Sequence, residues 1–173
     1  MFWTAAASVV VLDVITKALA VRYLMPPNVP HRIIGDVVRF TLAFNPGAAF
    51  SMSVGDKSRF FFGGLALVAL VVLWWLYRST KQGDWVRALA LGLAWGGAAG
   101  NLIDRLFRGK LGVVDFIDIG VGHVRFWTFN VADSAVTIGA ITLAFILWRE
   151  DREKLATLAA EAAARDEAST GAR

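Results

Sequence analysis

The chain alternates long apolar runs with two polar excursions and two short breaks. Trp3 to Leu24 is apolar apart from Asp13, Thr16 and Lys17, and it predicts a first helix about as long as a bilayer is thick. Met25-Pro-Pro-Asn-Val-Pro30 ends it, because proline lacks an amide donor and restricts the residue before it. Ile33 to Phe44 mixes β-branched and aromatic residues in partial alternation, which predicts one or two short strands outside the hydrocarbon. Asn45-Pro-Gly-Ala-Ala-Phe50 then reads as a turn feeding a short interfacial segment that ends near Arg59. Phe60 to Tyr77 carries no charge and predicts a second span. The polar turn Arg78 to Asp84 makes the third span, Trp85 to about Ile103, its antiparallel neighbour. Leu106 to Phe129 is the second long excursion, with strand-like runs at Val113 to Ile117 and Val124 to Phe129. Roughly Asn130 to Trp148 is the fourth span, and Arg149 to Arg173 is a charged, Ala-rich tail expected as a frayed helix.

This pattern predicts an all-α membrane protein, a four-transmembrane-helix bundle with a small β platform outside the bilayer. Residues 1–149 form the membrane domain and 150–173 the tail. Composition agrees: 57% hydrophobic and 18% charged residues lie well away from soluble averages. The N-terminus has no basic run before its apolar stretch, so it reads as a first span and not as a removed signal peptide. With an even number of spans both termini share one side. Trp3, Trp74, Trp75, Tyr77, Trp85 and Trp148 fall at span ends on that side, as an interfacial belt. Lys and Arg are numerous on both sides, so charge counting leaves the orientation open. The formal charge of +4 suits anionic headgroups, and no basic stripe with interleaved aromatics argues for nucleic acid.

Candidate chemistry lies on the side away from the belt. The absence of cysteine excludes disulfides, thiolate metal sites and a Cys nucleophile. His31 and His123 are lone loop residues without an assigned role. No H-E-x-x-H, G-x-S-x-G, P-loop or dinucleotide fingerprint occurs. What remains is Val113 to Val136, which holds Asp115 and Asp133, each among apolar residues. Asp133 reads as position N3 of a capping box opened by Asn130, and the same helix terminus favours its ionised, basic form. Asp115, on a strand-like run, is costly unless paired or protonated. A hairpin centred near Val121 would set Asp115 opposite Trp127 and return the chain to Asp133. Two carboxyl groups whose pKa values are pushed apart would suit acid–base work on a peptide bond. Asp118, taken as lying on the same strand face, reads as an ordinary solvated loop carboxylate.

Asp13 and Lys17 share a helix face at i, i+4; they read either as a neutralising pair that supports packing or as functional charges near the site. Gly96 and Gly100 form a small-residue face for close helix packing. Asn101 is suited to a substrate backbone and Arg105 to loop carbonyls or a lipid phosphate, while Asp104-Arg105 also reads as an interfacial cap. A transporter with Asp13, Lys17 and Asp104 as a charge pathway, and a plain binding scaffold, are rival readings.

Five blocks in order carry a resemblance: Asp13-Val-Ile-Thr-Lys17, Asn45-Pro-Gly-Ala-Ala-Phe50, Gly96-Gly-Ala-Ala-Gly-Asn-Leu-Ile-Asp-Arg105, Val113-Val-Asp-Phe-Ile117 and Phe129-Asn-Val-Ala-Asp-Ser134. Together they resemble bacterial lipoprotein signal peptidase, also called signal peptidase II. The departures are Val136, where the family often has Ile, and the Ala-rich tail. The resemblance implies an aspartic endopeptidase of the bacterial cytoplasmic membrane. Its substrates are prolipoproteins bearing a diacylglyceryl-modified cysteine, cut on the amino side of that cysteine. It maps the catalytic pair onto Asp115 and Asp133, and the substrate-binding or supporting positions onto Asp13, Lys17, Asn45, Gly47, Asn101, Arg105 and Asn130. It further implies cytoplasmic termini, an active site near the extracytoplasmic face, contact with membrane lipids and inhibition by the cyclic peptide globomycin. No metal or organic cofactor is implied.

Overall fold

The computed structural model describes residues 1–47 and 58–171, with side chains through 161. The segment expected to follow Gly47 and end near Arg59 therefore falls largely outside the described residues, as do Ala48 to Phe50 of the second block. Among the described residues four helices are long and apolar enough to cross a membrane. They are α1 (Phe2–Tyr23), α2 (Ser58–Arg78), α3 (Trp85–Phe107) and α4 (Val131–Gly171). Helix α1 stops at Leu24, whose N–H donates to Ala20 O at 2.9 Å just ahead of the proline pair. Asp84 caps α3 by accepting from Arg87 N at 3.1 Å. Helix α4 continues unbroken past Arg149, so the tail extends the fourth span as one 41-residue helix and does not begin a new element.

Helix α3 is the hub, packed against α1, α2 and α4. Apolar burial cannot hold helices together in lipid, so close backbone approach must do so. Gly96 allows it against α1: a Cβ there would meet Ala6 O at 2.7 Å. Gly97, on the next face, allows it against α4, where a Cβ would lie 2.3 Å from Ala132 O and 2.7 Å from Val136 Cγ2. Gly97→Val is therefore expected to separate α3 from α4 and to lower thermal stability by about 1–3 kcal/mol, the usual cost of overpacking. Thermal unfolding in detergent checks this, and an unchanged Tm would contradict it. Helix α2 packs mainly on α3 and, among its described residues, buries only Ser58 and Gly63, which leaves most of its apolar surface for lipid.

Aromatic side chains cluster at the end of the bundle where α1 begins and α2 ends. Phe2 stacks on Tyr77 with ring centroids 4.1 Å apart, and Trp3 packs edge-on against Trp95 at 5.3 Å. Arg87 pairs with Asp84 and with Glu150, joining the start of α3 to α4 at that same end.

At the opposite end the two excursions form one antiparallel sheet in the order β1 (Pro30–Ile34), β2 (Val38–Asn45), β3 (Val113–Val121), β4 (Val124–Arg125). Ala20, Leu42, Val114 and Phe116 form a buried cluster where the sheet meets the end of α1. The hairpin register corrects the sequence expectation. The turn lies between Val121 and Val124, with Gly122 at φ +56°, so Gly120 pairs with Arg125 and Ile117 bridges Phe129. Asp115 is therefore carried to the level of Asn130 and not opposite Trp127. On its other side it pairs with Ala43, past a bulge between Phe40 and Ala43 of β2.

Candidate active site

The junction of β3 and α4 is built around Asn130. Its side-chain oxygen accepts from Asp133 N at 2.9 Å, and its own N–H donates to Asp133 Oδ2 at 3.1 Å. This reciprocal capping box is the one expected from the sequence. Its free amide nitrogen makes the link that capping alone does not require. Asn130 Nδ2 donates to Asp115 Oδ1 at 2.7 Å and lies 3.2 Å from both Asn101 Oδ1 and Val114 O. Asn130 is fully buried, so each of these contacts is sheltered from bulk water.

Both carboxylates are held by amides. Asp115 also receives Asn45 Nδ2 at 3.3 Å, and Asp133 Oδ1 receives Asn101 Nδ2 at 2.8 Å. Asn45 Oδ1 in turn accepts from Gly47 N at 3.0 Å, which closes an Asx turn over the site. Arg105 spans the groove: Nη2 donates to Gly47 O at 2.9 Å and Nη1 to Asn101 O at 3.1 Å. It thus anchors a loop carbonyl, one of the two roles its residue type suggested. Asp115 is buried and Asp133 is half-buried. Burial first, and then the nearby Asp133 charge, raise the Asp115 pKa to about 7 against hydrogen bonds from Asn45 and Asn130 and the Lys17 charge, which act the other way.

Asp13 and Lys17 form the floor beneath this pair. Lys17 Nζ lies 2.7 Å from Asp13 Oδ2, 3.0 Å from Asp104 Oδ2 and 2.9 Å from Asn101 Oδ1. The other Asp13 oxygen accepts from Ala132 N at 2.9 Å in the first turn of α4. Gly100 leaves the space for this carboxylate, since a Cβ there would lie 2.6 Å from Asp13 Oδ2. The Asp13–Lys17 pair is mutually neutralising, and it contacts Asn101 and the first turn of α4. The same closure counts against a charge pathway, because Asp13, Lys17 and Asp104 are spent on one another in a buried cluster.

Two carboxylates were underestimated. Asp104 is more than an interfacial cap: it is buried, pairs with Lys17 and with Arg108 at 2.6 Å, and accepts from Val114 N at 3.1 Å, so it ties α1, α3 and β3 together. Its spacing of three residues from Asn101, with the Lys17 cation deep within a span, was the available signal. Asp118 is not solvated. Three residues beyond Asp115, it falls on the other strand face, where it pairs with Arg125 at 2.6 Å and accepts from Thr41 Oγ1 at 2.9 Å.

Comparison with known proteins agrees with this geometry. The family model for signal peptidase (SPase) II matches residues 5–149. The chain belongs to the signal peptidase II family. Lipoprotein signal peptidase of Mycobacterium avium is 46% identical over 145 residues, which cover 80% of this chain and 73% of the relative. That of Geobacillus kaustophilus is 43% identical over 143 residues, covering 82% and 88%. A bacterial membrane enzyme solved by the in meso method at 2.3 Å resolution superposes with a TM-score of 0.78 at 31% identity, covering 87% of this chain and 89% of that one. The family assignment makes the chain a membrane-embedded protease that removes signal peptides from prolipoproteins. The matched region holds every residue of the amide-bridged carboxylate cluster.

Proposed function

We propose that the chain is an aspartic endopeptidase in which Asp115 and Asp133 are the catalytic pair. On this reading it cuts diacylglyceryl-modified prolipoproteins on the amino side of the lipidated cysteine. The observation that carries the reading is the asymmetry of the two carboxyl groups. Asp115 is buried with its pKa raised to about 7. Asp133 is only half-buried, sits at a helix N-terminus and accepts from Asn101 Nδ2 and Asn130 N, so each of its oxygens is held in place. Asp133 then takes a proton from the attacking water while protonated Asp115 polarises the scissile carbonyl. When the tetrahedral intermediate collapses, a proton passes to the leaving cysteine nitrogen. Asn45, Gly47 and Arg105 shape the groove over the pair, and Asn130, Asn101, Asp13 and Lys17 hold the pair from below.

The orientation belongs to the same proposal: termini in the cytoplasm, sheet and carboxylates at the extracytoplasmic face of the bacterial inner membrane. The apolar signal helix enters sideways between spans while the acyl chains stay in lipid, and globomycin-type cyclic peptides compete for the same groove. On this reading residues 1–149 are the peptidase unit and 150–173 a cytoplasmic tail, a division supported by a family match that spans residues 5–149.

The test is incubation of purified protein with a diacylglyceryl-modified prolipoprotein, comparing wild type with Asp115→Asn. The pH profile gives a separate check. A carboxyl group with a raised pKa is protonated below that value and loses its proton above it. Turnover that needs protonated Asp115 is therefore present below about 7 and falls as pH rises through it. Because the Asp133 charge raises the Asp115 pKa, Asp133→Asn should move the Asp115 titration downward, read by infrared absorption of the carboxyl group since that variant does not turn over. A flat profile between pH 5 and pH 9, roughly two units either side of that midpoint, would contradict the assignment.

A further inference from the structure

A second cleft lies at the opposite end of the bundle from the carboxylate pair, and nothing in the proteolytic reading uses it. Helices α2 and α4 both pack on α3 but diverge from each other near the Arg78–Asp84 turn. The gap between them encloses about 670 Å³, within the range of small-molecule sites. Its inner wall is aliphatic, formed by Leu76, Leu91, Leu143 and Leu147. Its rim is polar and includes Lys81, Lys154 and three acidic residues.

The charge of that rim is not balanced in the way the residue types suggest. Asp84 and Glu150 are both engaged by Arg87, and Glu153 by Arg149 at 3.3 Å. Among the described residues neither Lys81 nor Lys154 makes an ion pair, and both are exposed. Two guanidinium groups thus answer three carboxylates, and Lys81 and Lys154, which make no ion pair among the described residues, tip the rim to a small positive excess over an apolar slot. The aromatic side chains Trp74, Trp75 and Trp85 mark the same level as a membrane–water interface. An occupant that satisfies both parts has a negatively charged head and an aliphatic tail.

We propose that this cleft is a binding site for one anionic glycerophospholipid. Its phosphate sits between Lys81 and Lys154, and one acyl chain lies along Leu143 and Leu147 between α2 and α4. The lipid fills the gap left because α2 packs mainly on α3 and little on α4, and so fastens α2 to α4. The site is independent of the catalytic assignment: it shares no residue with the carboxylate pair.

The test is native mass spectrometry of the full-length protein released from detergent supplemented with equal phosphatidylglycerol and phosphatidylcholine. One phosphatidylglycerol per chain is expected to be retained in preference to phosphatidylcholine. Lys81→Gln/Lys154→Gln should weaken that retention by roughly 30-fold, the product expected for two lysines close to an anionic headgroup. Leu147→Trp should displace the acyl chain with the charges intact, whereas Arg152→Gln, on the tail but outside the cleft, should change nothing. Signal-peptide cleavage in detergent serves as the folding control and should persist in all three variants. Equal retention of both lipids, or undiminished retention in the double lysine variant, would overturn the proposal. So would displacement of the lipid by millimolar inorganic phosphate, which would make the site one for free phosphate.

Discussion

Asp115→Asn is expected to reduce cleavage of a diacylglyceryl prolipoprotein by about 10³-fold or more while the protein remains folded and inserted. The magnitude follows from general acid–base catalysis, where a positioned group contributes on the order of 10²–10⁴. Folding should survive because Asp115 is already neutral in about half of the molecules at pH 7, and asparagine has the same shape without the cost of burying a charge. The Asn130 contact at 2.7 Å can be kept by the new side-chain oxygen; the Asn45 amide at 3.3 Å must turn, since it would face a second donor. Asp133→Asn should be equally inactive for a different reason: it loses the base, and its capping oxygen can still accept from Asn130 N. Circular dichroism and the unfolding midpoint report the fold, and a cleavage assay reports the chemistry. Turnover close to wild type in either variant would remove the dyad, and with it the aspartic assignment.

Lys17→Met is expected to be the most destabilising single change in the membrane domain. Lys17 is 1% exposed and is the cation for two carboxylates, Asp13 at 0% and Asp104 at 5%. Removing one partner of a buried ion pair costs about 3–5 kcal/mol, because the remaining charges have no water to turn to. For a chain of this size that corresponds to a Tm lower by roughly 10 °C. Activity should fall as well, since Lys17 Nζ holds the Asn101 oxygen whose amide points at Asp133. The triple variant Asp13→Asn/Lys17→Met/Asp104→Asn separates the two effects. It removes all three charges together, so stability should largely return. The amide oxygen introduced by Asp13→Asn can still accept from Ala132 N, but the Asn101 anchor is gone, so turnover should stay low. Full stability in the single variant, or full activity in the triple, would contradict this account of the cluster.

The pairing of Asp115 with Asp133 shows where reading the chain succeeds and where it stops. The capping box was legible because Asn130 and Asp133 lie three residues apart at the start of an apolar run, a purely local pattern. That Asp115 meets the same asparagine depends on the hairpin register. The register was set by Gly122 and by pairing with β2, and centring the turn on Val121 placed Asp115 against the wrong neighbour. Asp118 failed for the same reason: its partners Thr41 and Arg125 come from two other strands.

The spans, their order, the helix breaks, the aromatic end and the small-residue faces were all determined by the sequence itself. Each rests on hydropathy, proline chemistry or side-chain size within a few turns of helix. Beyond the i, i+4 pair of Asp13 and Lys17, tertiary structure decided which buried charges neutralise which. Lys17 is shared between α1 and α3, Asp104 links α3 to β3, and Asn130 joins a strand carboxylate to a helix-cap carboxylate. Those contacts join residues up to 119 positions apart, as between Asp13 and Ala132. A carboxylate in a low-dielectric interior takes its protonation state from whatever lies against it, and that neighbour is fixed by helix packing and strand register, not by adjacent sequence.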